Sequence, residues 1–379
     1  MTMEYSKINA YVQRLIREST PERTIWNVEK IRKGEPANWN YIDGCMITAL
    51  LSMAEITGDQ SYFDFAESFI DSFISDAGDI RTYEMGKFSL DDVNEGRVLF
   101  ELYKKTKKKK YRLAADRLRE HLRLQPRTFE YNYWHKAIYP DQVWLDGIYM
   151  AQPFYVLYEK NFGKRNYSDI VRQIETVRRK MFCEEKGLYY HGYDASRSVF
   201  WADPESGCSK GFWLRAIGWF SVAMADIIEI IPKGDARDRL TPIFAELMEN
   251  MKRYADPESG MYWQVVDQGG RPGNYLETSG SSMIAYAMLK GARLGVLDSS
   301  FADLGEKTFA GIADRYLSFT DNDLNLGGIC LVAGLGPADN LRRDGSYEYY
   351  ISEPVVENDA KGVAPFLLCY TEVMRRQNR

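Results

Sequence analysis

The chain has 379 residues, a formal net charge of −5 and an aromatic content of 14%. That charge supplies no global basic field, which argues against nucleic-acid binding. Three His without an HExxH pair, five scattered Cys without a CxxC pair, and the lack of GxGxxG or GxxxxGK[ST] leave zinc and nucleotide chemistry without support.

Length alone suggests about two or three domains. The first residues, "MTMEYSKINAYVQRLIREST", hold no apolar run suited to a signal peptide, and no later segment offers about 18 uninterrupted apolar residues. These features predict a soluble, cytoplasmic protein with reduced thiols and no membrane partner. The 26 Tyr, 18 Phe and 8 Trp offer flat amphipathic surfaces of the kind that stack on sugars, although large cores use the same residues.

Along the chain, residues 43–59 ("DGCMITALLSMAEITGD") place Met46, Leu50 and Met53 at helical spacing, with apolar residues around most of the circumference. Such a helix is buried on most sides. After Gly58-Asp59, residues 61–75 show one stripe of Phe63, Ala66, Ile70 and Phe73 against Asp64, Glu67 and Asp71, which predicts an amphipathic helix outside the first. Buried-type starts recur after Asp91, Asp146, Arg215, Ser279 and Asp359, at intervals of 48 to 80 residues. Spacing this wide and variable excludes a regular solenoid but suits helical hairpins with inserted loops. Six buried helices ringed by six amphipathic ones predict an all-α (α/α)6 barrel, one domain over residues 1–379.

Between these pairs, the run "KKTKKKK" (104–110) reads as a solvated helix end and loop. His121, in "RLREHLRL", falls on what reads as an amphipathic surface helix. The segments "EKGLYYHGYD" (185–194) and "ESGMYWQVVD" (258–267) echo each other and predict short hairpin or extended pieces at the barrel mouth. Acids at helix starts read as N-caps, and capping accounts for Asp43, Asp359 and Asp91. Asp146 is different, because Trp144 and its apolar flanks should desolvate the carboxylate and oppose the helix dipole. A carboxyl balanced in that way suits general acid–base catalysis.

The runs "LDDVN" (90–94), "HKAIYPDQVWLDGIYMAQPF" (135–154), "YYHGYD" (189–194) and "WLRAIGW" (213–219) together resemble the unsaturated rhamnogalacturonyl hydrolases, glycoside hydrolase family 105, which are related to the unsaturated glucuronyl hydrolases of family 88. The resemblance spans essentially the whole chain. It implies hydration of the C4=C5 double bond of a non-reducing-end unsaturated uronic acid left by pectin lyases. On that basis Asp146 is the acid that protonates C4 and then deprotonates water, and Asp91 is the second catalytic acid. His135, Lys136, Trp144, His191, Arg215, Trp219 and Tyr41 are implied substrate-binding residues, with Lys136 or Arg215 meeting the uronate carboxylate. No metal or organic cofactor is implied, and the partner is an unsaturated oligosaccharide. The interval containing "GGICLVAGLGPADN" is expected to shape the leaving-group site. Unsaturated glucuronyl hydrolysis, epimerisation by a His pair, and a non-catalytic binding scaffold are the competing readings.

Overall fold

The computed structural model describes residues 5–320 and 323–378. Five long helices, Tyr41–Thr57, Leu145–Asn161, Leu214–Ile230, Thr278–Arg293 and Ala360–Gln377, form most of an inner ring. The sixth inner segment is broken into Asp91–Asn94, a tight 3₁₀ turn Glu95–Val98, and Leu99–Thr106. Each inner element packs on the next, and Ala360–Gln377 returns to Tyr41–Thr57, so the ring closes. Helices Gln60–Asp71, Lys109–Leu124, Ser168–Met181, Asp235–Lys252 and Ser299–Tyr316 lie outside. The architecture is the (α/α)6 barrel.

Local chemistry sets the hairpins. Asn40 caps the first inner helix by accepting from the Ile42 and Asp43 N–H groups. Gly58, at φ 73°, ends it in the left-handed conformation that costs glycine least, and Asp59 caps the next helix through the Ser61 N–H. Met46, Leu50 and Met53 are fully buried, each worth roughly 2 kcal/mol of transfer free energy.

The helix Tyr5–Arg17 packs near the start of Ala360–Gln377 and the strand Asp323–Leu326: Ile8, Val12 and Leu15 are fully buried, Tyr11 Oη donates to Asn358 Oδ1 at 2.7 Å, and an Arg14 guanidinium nitrogen donates to the Leu324 carbonyl at 2.9 Å.

The predicted mouth segments are strands or bridges. Gln142–Trp144 pairs antiparallel with Gly192–Asp194, Phe182–Cys183 with Leu188–Tyr189, and isolated bridges join Trp213 to Val265 and Trp263 to Leu276. The basic run ends one helix and opens the next; Lys104 and Lys105 are exposed, while Lys108 reaches Glu67 at 2.8 Å and Lys110 reaches Asp71 at 2.7 Å. Among the described residues no helix is long and apolar enough to cross a membrane.

Two expectations need correction. His121 sits on the inward face of its helix, fully buried, with Nδ1 2.8 Å from Tyr83 Oη and Nε2 2.8 Å from Gln125 Oε1. Of the acids read as caps, only Asp359 caps, through the Lys361 N–H. Asp43 lies within the first turn of its helix and accepts from Thr24, Trp26, Asn27 and Asn40 side chains, and Asp91 makes no cap bond. A carboxylate inside the first turn also suits the helix dipole, so local sequence cannot separate the two roles.

Candidate active site

The strand Gln142–Trp144 leads directly into the Leu145–Asn161 helix, so Asp146 lies in that helix's first turn beside the barrel axis. Trp144 holds the cap position without a side-chain cap bond, and Asp146 caps nothing. The pairing of Trp144 with Gly192 brings His191 alongside, and the Leu145 N–H donates to the His191 carbonyl at 3.0 Å. His191 Nε2 then approaches Asp146 Oδ2 to 3.2 Å, short of the alignment of a full hydrogen bond. The other ring nitrogen, Nδ1, lies 2.8 Å from Tyr350 Oη.

Asp91 begins the broken inner segment. Lys136 Nζ stands 2.5 Å from Asp91 Oδ2, and His135 Nε2 stands 3.6 Å from Oδ1. Burial works against the Asp91 charge, but Lys136 and His135 outweigh it and hold the carboxyl below its usual range. Burial likewise disfavours charge on Lys136, and Asp91 more than compensates, keeping the ammonium protonated. The next residue behaves oppositely: burial and the Asp91 charge push Asp92 up to about 7.

His135 stands between the two candidate acids. Burial drives it down to about 4, against the pull of Asp91 and Asp146, so the ring is neutral near pH 7. It stacks on Trp144 with centroids 4.4 Å apart, Tyr139 stacks on Trp144 at 4.8 Å, and His135 and Tyr139 lie 6.2 Å from each other. Gly147 permits this: a Cβ there would come within 3.1 Å of His135 Nδ1 and 3.2 Å of Leu90 Cδ1. The structure therefore gathers Asp91, His135, Lys136, Trp144, Asp146 and His191 into one cluster.

Tyr41 and Trp219 form a neighbouring aromatic wall, edge to face at 6.5 Å, with Trp219 stacked on Tyr149 at 4.4 Å. Burial, aided by Glu29 and Asp91, raises the Tyr41 phenol well above its usual range. Arg215 is 1% exposed and committed to protein partners: Nε donates to Ser279 Oγ at 2.7 Å, the two terminal nitrogens reach the Cys330 and Leu331 carbonyls, and Glu277 lies 3.5 Å away. Lys136 is likewise occupied by Asp91, so both cations proposed to meet a carboxylate already hold an anionic or carbonyl partner.

Sequence reasoning did not select Tyr139, Tyr149, Trp213 or Tyr350, which complete the aromatic lining. Tyr139 lay inside the quoted HK-to-WLDG run and Trp213 inside "WLRAIGW"; only Tyr350 had no local signal. The long loop before Asp359 does reach the site, since Leu335 packs with Tyr139, Trp144 and Trp201, and Trp201 Nε1 donates to the Gly336 carbonyl at 3.2 Å. A separate cavity of about 620 Å³, lined by Thr48, Glu55, Arg97, Lys104 and Lys160 among others, opens at the opposite ends of the inner helices and touches neither candidate acid.

The family model "Glycosyl Hydrolase Family 88" matches residues 15–377. The solved structure of the C. acetobutylicum ATCC 824 glycoside hydrolase from family 105 is 40% identical, covers 96% of this chain and 99% of its own, and superposes with a TM-score of 0.87. The curated protein Atu3128 of Agrobacterium fabrum is 38% identical over 235 residues, 59% of this chain and 97% of that protein. "Unsaturated rhamnogalacturonyl hydrolase YesR" of Bacillus subtilis is 24% identical over 292 residues, 73% of this chain and 76% of that protein. An unsaturated glucuronyl hydrolase from Bacillus sp. GL1 shares the fold, with a TM-score of 0.62 over 91% of this chain and 88% of its own at 16% identity. The helical barrel, the clustered carboxylates and matches that run nearly end to end agree: this chain belongs to the family 88 glycosyl hydrolases and their family 105 relatives.

Proposed function

We propose that this glycosidase releases the C4=C5 unsaturated uronic acid from the non-reducing end of rhamnogalacturonan-lyase products by hydrating the double bond. The observation that carries the reading is the contrast between two acids in one cluster. Asp91 is held as an anion by Lys136 at 2.5 Å, whereas among the described residues Asp146 has no lysine or arginine against it and meets His191 at 3.2 Å. One acid is thereby fixed as a charge and the other left to exchange a proton.

In this mechanism Asp146 protonates C4, leaving positive charge shared between C5 and the ring oxygen. Asp91 stabilises that charge electrostatically. Asp146, now a carboxylate, takes a proton from the water that adds at C5. The hemiketal opens and the leaving sugar departs. His135, Trp144, Trp219 and Tyr41 supply the surfaces against which the sugar ring packs. A single catalytic domain and a cytoplasmic location belong to the same proposal; the continuous apolar core around the ring and the five unpaired cysteines support it.

The test is the ultraviolet band of the conjugated enol acid, followed with an unsaturated galacturonyl-rhamnose disaccharide. The band should decay with release of rhamnose. Asp146→Asn should fold normally by circular dichroism and lose at least about 100-fold in rate; retention of more than about a tenth of the wild-type rate would remove Asp146 from the acid–base role. The match to the family 88 model favours one second reading, an unsaturated glucuronyl substrate. Decay with a glucuronyl disaccharide and not with the galacturonyl one would establish it.

A further inference from the structure

We propose that Tyr350 is a positioning residue that holds His191 as its neutral Nε2–H tautomer, so that the ring presents an N–H to Asp146 Oδ2 and leaves Oδ1 to carry the proton exchanged with substrate. The inference rests on the acid–base reading of Asp146 given above.

The geometry is a chain of three groups. Tyr350 Oη lies 2.8 Å from His191 Nδ1, and His191 Nε2 lies 3.2 Å from Asp146 Oδ2. Both Tyr350 and His191 are 0% exposed. Among the described residues, the Tyr350 hydroxyl has no hydrogen-bond partner other than His191. If the hydroxyl accepted from an Nδ1–H, its own hydrogen would be buried with nowhere to go, which native interiors avoid. The hydroxyl therefore donates, Nδ1 accepts, and the ring proton sits on Nε2.

That assignment also gives Asp146 two unlike oxygens. Oδ2 is sealed from solvent and faces Nε2, while Oδ1 is not sealed in this way and makes no hydrogen bond within the described residues. An Nε2–H 3.2 Å from Oδ2, close though not aligned as a full hydrogen bond, electrostatically favours the proton on Oδ1 when the acid is protonated and stabilises the carboxylate once that proton has gone. One tautomer then serves both halves of the cycle, and no proton has to move along the chain.

Tyr350 is built to stay in place. Ser346 caps the Tyr347–Ile351 helix, the Tyr350 ring lies parallel to Trp213 with 7° between planes, and its carbonyl accepts from Gln264 Nε2 at 3.2 Å. The groups that face His191 are Asp146, Tyr350, Trp144 and Trp213, with His135 an electrostatic neighbour; Asp344 and Tyr349 act on Tyr350. Burial keeps the Tyr350 phenol protonated far above neutral pH.

Nitrogen-15 NMR of the ring-labelled full chain tests the assignment without substrate. At pH 7, His191 should show a protonated Nε2 and an unprotonated Nδ1. An Nδ1–H signal in the wild-type protein would overturn the inference even if hydration is confirmed. In Tyr350→Phe, which keeps the stack on Trp213, that tautomer preference should weaken. For whichever unsaturated disaccharide the wild type hydrates, kcat should fall at least tenfold with KM changed less than twofold, and the acidic limb of the pH–rate profile should move. A folded Tyr350→Phe protein with wild-type kcat and an unmoved limb would overturn it too. If Asp146→Asn retains its rate while His191 shows Nε2–H, the acid–base reading fails and with it the catalytic purpose assigned to Tyr350, but not the tautomer.

Discussion

At the scale of single residues, the site works by giving identical side-chain types different surroundings. Asp91 and Asp146 are both aspartates in the first turn of an inner segment, yet among the described residues only Asp91 of the two has a lysine against it. Removing that lysine should be felt twice. Lys136→Met leaves a carboxylate that is 16% exposed without its cation, so its pKa should rise and the anion should cost about 1–3 kcal/mol of stability at pH 7. Urea unfolding measures the second effect, and a change below about 0.5 kcal/mol would mean that solvent already neutralises the pair. The same substitution should lower the hydration rate, because the charge at Asp91 is no longer fixed.

At the scale of elements, the inner helices meet through glycines rather than through interlocked large side chains alone. Gly44 is the sharpest case: a Cβ there would stand 2.7 Å from the Glu95 Cα and 2.8 Å from its Cβ. The first contact is backbone and cannot swing away. Glu95 is also tied to the neighbouring segment, accepting the Asn40 N–H at 2.8 Å, which helps explain why the chain tightens into a 3₁₀ turn there instead of continuing as one helix. Gly44→Ala should therefore destabilise by about 1–3 kcal/mol despite the better helix propensity of alanine. Thermal unfolding checks it, and a stabilised variant would show that the two segments are free to separate.

For the whole molecule, an ionic cluster near the far end of the barrel ties three inner elements together. Asp226 of Leu214–Ile230 meets Arg97 of the 3₁₀ turn and Lys290 of Thr278–Arg293, with Lys290 Nζ at 2.8 Å and Tyr286 Oη at 2.7 Å. Burial alone would raise Asp226, but Lys290 and Arg97 bring it down to about 2. Asp226→Asn leaves two buried cations short of a counter-charge and should cost about 3–5 kcal/mol, read from urea unfolding; a near-neutral result would show that Glu229, whose carboxylate lies 2.6 Å from Lys290 Nζ, carries that cation alone.

Acid should destabilise the molecule in two stages. Burial depresses both His121 and His135 from 6.5 to about 4, so the unfolded chain binds protons first. The stability these neutral rings contribute is full above pH 6.5 and lost as pH falls through 4, about 3 kcal/mol each. The Asp226 contribution, about 2 kcal/mol, is full above 3.8 and lost as pH falls towards 2. Unfolding free energy measured from pH 7 to 4 should drop steadily; a flat profile over that range would contradict neutral buried histidines.

Much of this was legible in the sequence for a physical reason: helical burial is a local property, carried by side chains three and four residues apart. Met46, Leu50 and Met53 announced a buried helix, the six starts announced the ring, and the short run from His135 to Asp146 placed one carboxylate beside its aromatic wall. The capping roles were not legible, because Asp43 and Asp359 both stand at helix starts and only their partners from other segments separate them. Nor was the packing of Tyr5–Arg17 against Asn358 and Leu324, residues more than three hundred positions away. The Tyr350–His191 bond joins residues 159 apart in sequence. No spacing rule reports on such a pair, since ring closure decides which distant loops meet at the mouth, and hydrogen-bond direction is settled only where burial leaves each group one partner.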